Sequence, residues 1–149
     1  MSKPRQQPAR PEDAASGAGS ATGPSLSGED LARKVADLAW SKKAEEVTIL
    51  DLRERHSLID WFVVATVPPG RLGQVIGEEA YALGKRLLGP RGWLHLERSE
   101  DWVCADLGDV VLHLFTPDAR EFYGIEHLWA DAPRTRYEGT PRVLSGGER

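Results

Sequence analysis

The chain carries one cysteine, Cys104, and one methionine, Met1. A lone cysteine excludes an intramolecular disulfide and any cysteine-cluster zinc site. No run approaches the roughly 18–20 consecutive apolar residues of a bilayer-crossing helix, and the longest apolar runs are strand-sized. The opening MSKPRQQPARPEDAASGAGS has no apolar segment, so it does not read as a secretory signal and a cytoplasmic location is expected. Catalytic signatures are equally scarce. His56, His95, His113 and His127 form no H-x-x-x-H or H-E-x-x-H arrangement, and no serine sits in a G-x-S-x-G elbow. Cys104, inside an apolar run, reads as a small core residue, and His113, among Val111, Leu112, Leu114 and Phe115, as a hydrogen-bonded structural histidine. No metal or cofactor is expected.

What is present suits one domain of ordinary size. Of 149 residues, 40% are hydrophobic and 28% charged, enough for a packed core. Net charge is −4, but residues 29–133 hold 12 of the 19 Lys and Arg and 19 of the 23 Asp and Glu, a local net of −7. A folded part of that sign repels nucleic acid and favours a basic protein partner. Residues 1–28 are rich in Pro, Gly, Ala and Ser and bury too little apolar surface to offset their ordering entropy, so they read as a disordered tail. Residues 133–149, with their prolines and glycines, read as a second flexible tail. The folded domain is then 29–132.

Within it, Ser27-Gly28-Glu29-Asp30 has capping-box spacing, and Leu31, Val35, Leu38 and Ala39 recur at helical period, predicting a helix over 29–42. Val47–Leu52 and Trp61–Thr66 read as strands, the second apolar on both faces and hence buried between layers. Pro68-Pro69-Gly70 forces a break. Leu72, Val75, Ile76, Ala80, Leu83 and Leu87 then share one helical face up to a stop at Gly89-Pro90. Three strand-like runs follow, Trp93–Glu97, Trp102–Asp106 and Asp109–Phe115, the last two joined by a hairpin at Leu107-Gly108. Thr116 as N-cap and Pro117 at the first helical position open a final helix to about Trp129. The order α-β-β-α-β-β-β-α predicts an α/β fold, a five-stranded mixed sheet flanked by helices.

Two constellations compete for function. Asp51, Asp60, Asp106 and Asp109 stand at strand ends, where carboxylates can hold magnesium for phosphoryl or nucleotidyl transfer; Asp51 and Asp106 are the pair such an enzyme would use. That chemistry also needs a phosphate cradle of exposed amides, and in Val67-Pro68-Pro69-Gly70 two donors are missing. The other candidate is Trp102, preceded by Glu100 and Asp101. It reads either as a core tryptophan or as a partly exposed anchor for a protein partner, with ring area at the centre and matching charge at the rim. As an anchor, Trp102→Ala leaves the fold intact; as core, it unfolds the chain.

Three segments carry a resemblance. Asp101–His113 reads D-W-V-C-A-D-L-G-D-V-V-L-H, Arg120–Ala132 reads R-E-F-Y-G-I-E-H-L-W-A-D-A, and Val47–Leu52 is followed by Ile59-Asp60-Trp61-Phe62-Val63. In content and order they resemble the ribosomal silencing factors, or Iojap family, over residues 29–132. The resemblance implies a fold similar to nucleotidyltransferase domains without their activity. It also implies a regulator that binds protein number fourteen of the large ribosomal subunit, blocks joining of the small subunit and lowers translation when nutrients run short. Trp102 takes the place of the family's docking tryptophan, and Glu100, Asp101, Asp106, Leu107 and Asp109 are carried over as its neighbours. A minor contact with ribosomal RNA, and self-association of the free protein through the docking face, are compatible with the same surface. A role in assembling immature large subunits would use it too. One departure is local: where the family has a Gly/Ser/Asn-rich turn ending in Ser-x-Arg, this chain has Thr66-Val67-Pro68-Pro69-Gly70-Arg71, keeping only the arginine.

Overall fold

The first helix is set by its start. Ser27 Oγ accepts the Asp30 backbone N–H at 3.0 Å, and Glu29 and Asp30 lie where the helix dipole favours negative charge. Helix α1 (Gly28–Ser41) buries Leu31, Ala32, Val35, Ala36 and Ala39, the stripe that its periodicity predicts. The computed structural model describes residues 26–55, 58–89 and 94–139. After α1 come β1 (Glu45–Asp51), β2 (Trp61–Thr66), α2 (Leu72–Leu88), β3 (His95–Arg98), β4 (Trp102–Asp106), β5 (Val110–Phe115), α3 (Pro117–Tyr123), α4 (Ile125–Leu128) and β6 (Arg134–Arg136). Trp93, expected at the start of the third strand, and His56 lie outside the described residues, as do 1–25 and 140–149.

The sheet has six strands in the order β3-β4-β5-β2-β1-β6, one more than predicted. The extra strand comes from the stretch expected as a tail. Arg134, Thr135 and Arg136 pair antiparallel with Leu50, Ile49 and Thr48, and all three are exposed. Tyr137 then donates its backbone N–H to Val47 O, and its hydroxyl donates to Asp37 of α1 at 2.8 Å. Leu26, from the other expected tail, packs against the core, so the packed unit extends beyond 29–132 at both ends.

Among the described residues only β2 and β5 pair in parallel, from Trp61 opposite Val110 to Thr66 opposite Phe115; the other pairs there are antiparallel. The crossover through α2 therefore carries the chain from the middle of the sheet to its edge, and two hairpin steps return β5 beside β2. Helices α1 and α2 cover one face, over Val47, Ile49, Trp61, Val63, Ala65, Val103, Ala105, Leu112 and Leu114. The other face carries a smaller cluster, Leu50, Leu52, Val64, Phe115, Ala119 and Ala132, backed by Trp102, Phe62 and Trp129. The helix predicted over 117–129 is broken at Gly124, whose left-handed backbone (φ 56°, ψ 39°) ends α3 and starts α4. A residue with a β-carbon resists that conformation, which is why a glycine there terminates the helix.

Candidate functional site

Alternation along β4 puts Trp102, Cys104 and Asp106 on the face that α3 and α4 only partly cover, and Val103 and Ala105 under α2. Opposite Trp102 stands Phe115, and opposite Cys104 stands His113. The half-buried Trp102 ring lies 4.9 Å from the Phe115 ring and 4.7 Å from that of Tyr123, centroid to centroid, and its Nε1 donates to His113 Nδ1 at 3.1 Å. Tyr123 in turn meets Phe122 edge-on at 5.0 Å. Phe122 is 80% exposed, Tyr123 47%, and Leu128 on the neighbouring α4 75%. Trp102, Tyr123 and Phe122 thus form a continuous aromatic shelf that begins in the sheet and ends in solvent. Large apolar groups gathered at a surface mark sites of association.

A clamp holds the shelf in place. Arg120 of α3 meets Glu126 of α4 with two bonds, Nε to Oε1 at 2.9 Å and Nη2 to Oε2 at 2.8 Å. Its Nη1 donates to the Glu46 carbonyl at 2.9 Å and to Thr66 Oγ1 at 2.8 Å. Arg134 of β6 adds a bond to the Glu126 carbonyl at 3.0 Å. The Arg120 guanidinium holds the Glu126 carboxyl below its ordinary range despite the opposing effect of burial.

The six residues expected at the site divide. Glu100 and Asp101 are exposed in the β3–β4 turn beside Trp102, where the Asp101 carbonyl accepts the Thr116 N–H. Asp106 and Asp109 lie at the far end of β4 and its hairpin, roughly 13 Å from Trp102 at the rise of a strand. Asp106 Oδ1 accepts the Gly108 N–H, and burial raises its carboxyl above the usual range; the Asp109 carbonyl accepts from Asp60 and Trp61. Leu107 is 1% exposed and packs in the core toward α2, so its side chain is not available to a partner. Nor does Trp102 project freely, since its polar edge is bonded inside the protein. Phe122, Tyr123 and Leu128, exposed large apolar residues beside Trp102 or on the neighbouring helix, were not among the residues expected at the site. The signal was two adjacent aromatics within a predicted helix, which cannot both face one core.

A shared metal between Asp51 and Asp106 does not fit this geometry. Asp51 follows Ile49 on the α1 face, whereas Asp106 shares the face of Trp102. Two intervening strands, β2 and β5, also put them about 14 Å apart by sheet spacing alone. Arg53 occupies the Asp51 carboxylate at 2.9 and 2.7 Å and holds it below its ordinary range. Among the described residues no three or more His, Cys, Asp or Glu are grouped to hold a metal ion. Cys104 is half-buried, and desolvation, with Asp106 and Glu97 nearby, pushes its thiol up to about 11, far from a reactive thiolate. No helix among the described residues is long and apolar enough to cross a membrane.

The class defined by this fold is a small α/β domain, with a mixed six-stranded sheet covered on one face by two long helices and on the other by two short ones. The family model described as "Ribosomal silencing factor during starvation" matches residues 25–145, and the chain belongs to that family. A protein of Halalkalibacterium halodurans named Ribosomal silencing factor RsfS is 32% identical over 119 residues, covering 76% of this chain and 97% of its own. A mouse protein named Mitochondrial assembly of ribosomal large subunit protein 1 is 24% identical over 98 residues, 64% of this chain and 43% of that protein. A crystal structure of a Chromobacterium violaceum protein superposes with a TM-score of 0.58 at 24% identity, covering 78% of this chain and 98% of that one, and shares the fold.

Proposed function

We propose that this protein is a non-enzymatic translation repressor of the cytoplasm. It docks on the large ribosomal subunit through protein number fourteen and excludes the small subunit by bulk, lowering translation when nutrients run short. The observation that carries this reading is the aromatic shelf, with Phe122 almost fully in solvent and Trp102 and Tyr123 behind it. Glu100 and Asp101 supply an acidic rim at its sheet end. A local charge of −7 suits a basic partner and speeds encounter, while the buried rings set the rate of release. Steric exclusion requires affinity and placement and no reaction. The sheet serves as a nucleotidyltransferase-like scaffold on which Asp51 and Asp106, the pair a transferase would use, stand on separate strands.

The test is co-sedimentation with purified large subunits, together with a subunit-joining assay. Phe122→Ala is the cleaner variant, because Phe122 is outside the core whereas Trp102 packs against Phe115 and bonds His113. Truncating a docking aromatic costs roughly 2–4 kcal/mol, about 30- to 1,000-fold in affinity. Phe122→Ala should keep its melting temperature and lose binding by at least the lower figure. Unchanged co-sedimentation would remove the shelf from the interface. Binding without inhibition of joining would shift the reading toward assembly of the large subunit, the activity in the mouse relative's name. A rise in melting temperature with nucleotide and magnesium would instead revive the transferase alternative.

A further inference from the structure

Trp102 has one polar side-chain atom, and it is turned inward, donating to His113 Nδ1 at 3.1 Å. His113 is 5% exposed, in the middle of β5, with the Phe62 ring edge-on at 4.5 Å and the Phe115 ring nearly parallel at 6.0 Å. A histidine that accepts at Nδ1 carries its proton on Nε2 and is neutral. Burial enforces that form, pushing the imidazole down to about 4. Nε2 is itself buried and has no hydrogen-bond partner among the described residues, so the ring's one polar contact there is the indole. An aliphatic side chain would fill the space without accepting, and a cation would present donors at both nitrogens.

We infer that His113 is a positioning residue for docking: by accepting the Trp102 indole N–H it fixes the ring, so that the partner meets Trp102 only as carbon and receives it in an apolar slot offering no hydrogen-bond acceptor. This rests on the docking function proposed above. A ring held in its bound orientation before encounter does not lose rotamer freedom on binding, and a partner group placed to accept an indole proton would be left unpaired.

Two readouts test it. Exchange of the Trp102 indole N–H with solvent is followed by NMR, the signal being assigned with Trp102→Phe. Affinity for purified large subunits is measured on the same proteins. His113→Leu removes the acceptor; His113→Asn restores one, because its carbonyl oxygen lies where Nδ1 was. In the intact protein the indole proton exchanges slowly. In His113→Leu it exchanges at least tenfold faster and docking weakens about tenfold, and His113→Asn recovers most of both. A purely space-filling role would not be rescued by asparagine. Equal exchange in the intact protein and His113→Leu, or equal affinity, overturns the inference. Should His113→Leu fail to fold, the asparagine variant decides: slow exchange with full binding supports it, and fast exchange with full binding overturns it. Failure of the docking reading looks different. Phe122→Ala and the intact protein would then bind alike or not at all, while indole exchange still reports the His113 bond.

Discussion

Arg120 joins four parts of the chain through one guanidinium: α3 itself, Glu126 on α4, the Glu46 carbonyl on β1 and Thr66 at the end of β2. Glu46 sits in the left-handed region at φ 51°, where the β1–β2 register shifts, and its carbonyl is one that Arg120 satisfies. The Arg120 and Glu126 side chains are only 12% and 22% exposed, so removing Arg120 leaves a part-buried Glu126 carboxylate with the longer 3.9 Å pair to Arg134 in place of two close bonds. Arg120→Ala should lower unfolding free energy by roughly 2–4 kcal/mol, read from urea midpoints at neutral pH. Because Glu126 is held below its usual 4.5, this contribution is present above about that pH and lost as pH falls through the lower folded value. The variant should therefore lose part of the acid-side slope. His113 gives a second slope. Between 6.5 and about 4 the unfolded chain takes up a proton that the folded one refuses, so stability falls as pH drops through that window. The effect is of order 3 kcal/mol for a fully buried imidazole. His113→Leu should flatten the profile there, and an unchanged profile would mean the imidazole protonates in the folded state.

Helix α2 approaches β4 closely because glycine faces the strand. A β-carbon on Gly77 would lie 2.5 Å from Val103 Cγ1, and one on Gly84 2.8 Å from Leu107 Cδ2. The two contacts differ in kind. Val103 is branched at the β-carbon and stiff in its strand, whereas the end of Leu107 can swing aside. Alanine gains about 1 kcal/mol of helix propensity at either site, but overpacking costs roughly 1–3 kcal/mol where the neighbour cannot move. Gly77→Ala should therefore destabilise, and Gly84→Ala should be near neutral, by denaturant midpoint; the reverse ranking would contradict this packing. At the opposite edge, β6 has no apolar residue to announce it. Its pairing with β1 and the Tyr137–Trp40 contact, edge-on at 6.5 Å, are what order it.

For the molecule as a whole, that edge can be tested by length. A chain ending at Pro133 loses β6 and the Tyr137 contacts with α1, and should be less stable by roughly 2–4 kcal/mol for one aromatic side chain and a strand pairing. A chain ending at Gly139 keeps both and is the control; equal stability of the two would make the edge incidental. Net charge acts at the same scale. If the acidic domain is drawn to a basic partner, association should slow several-fold between about 50 and 300 mM salt while release changes little. Rates independent of salt would reduce Glu100 and Asp101 to bystanders.

Local chemistry made much of this legible. Ser27 and the Leu31–Val35–Ala39 stripe specify α1, Pro68-Pro69-Gly70 the break, and the apolar runs of β2 and β5 their burial, because capping, periodicity and ring closure act within a few residues. The family was legible from the spacing around Trp102 and from Arg120 to Trp129. The neighbours were not. The pairing of Thr66 with Phe115, the reach of Arg120 to Glu46 across 74 positions and the bond from Trp102 to His113 exist only once the sheet closes. So the amino-acid order alone marked the two long helices, the strands β1 to β5 and the break between β2 and α2, but neither β6 nor the interruption of the last helix at Gly124. The tertiary structure decided that Leu107 is core, that the Trp102 indole is bonded to His113, and that Phe122 and Tyr123 are left exposed. Exposure belongs to contacts between distant segments, and no single stretch encodes it.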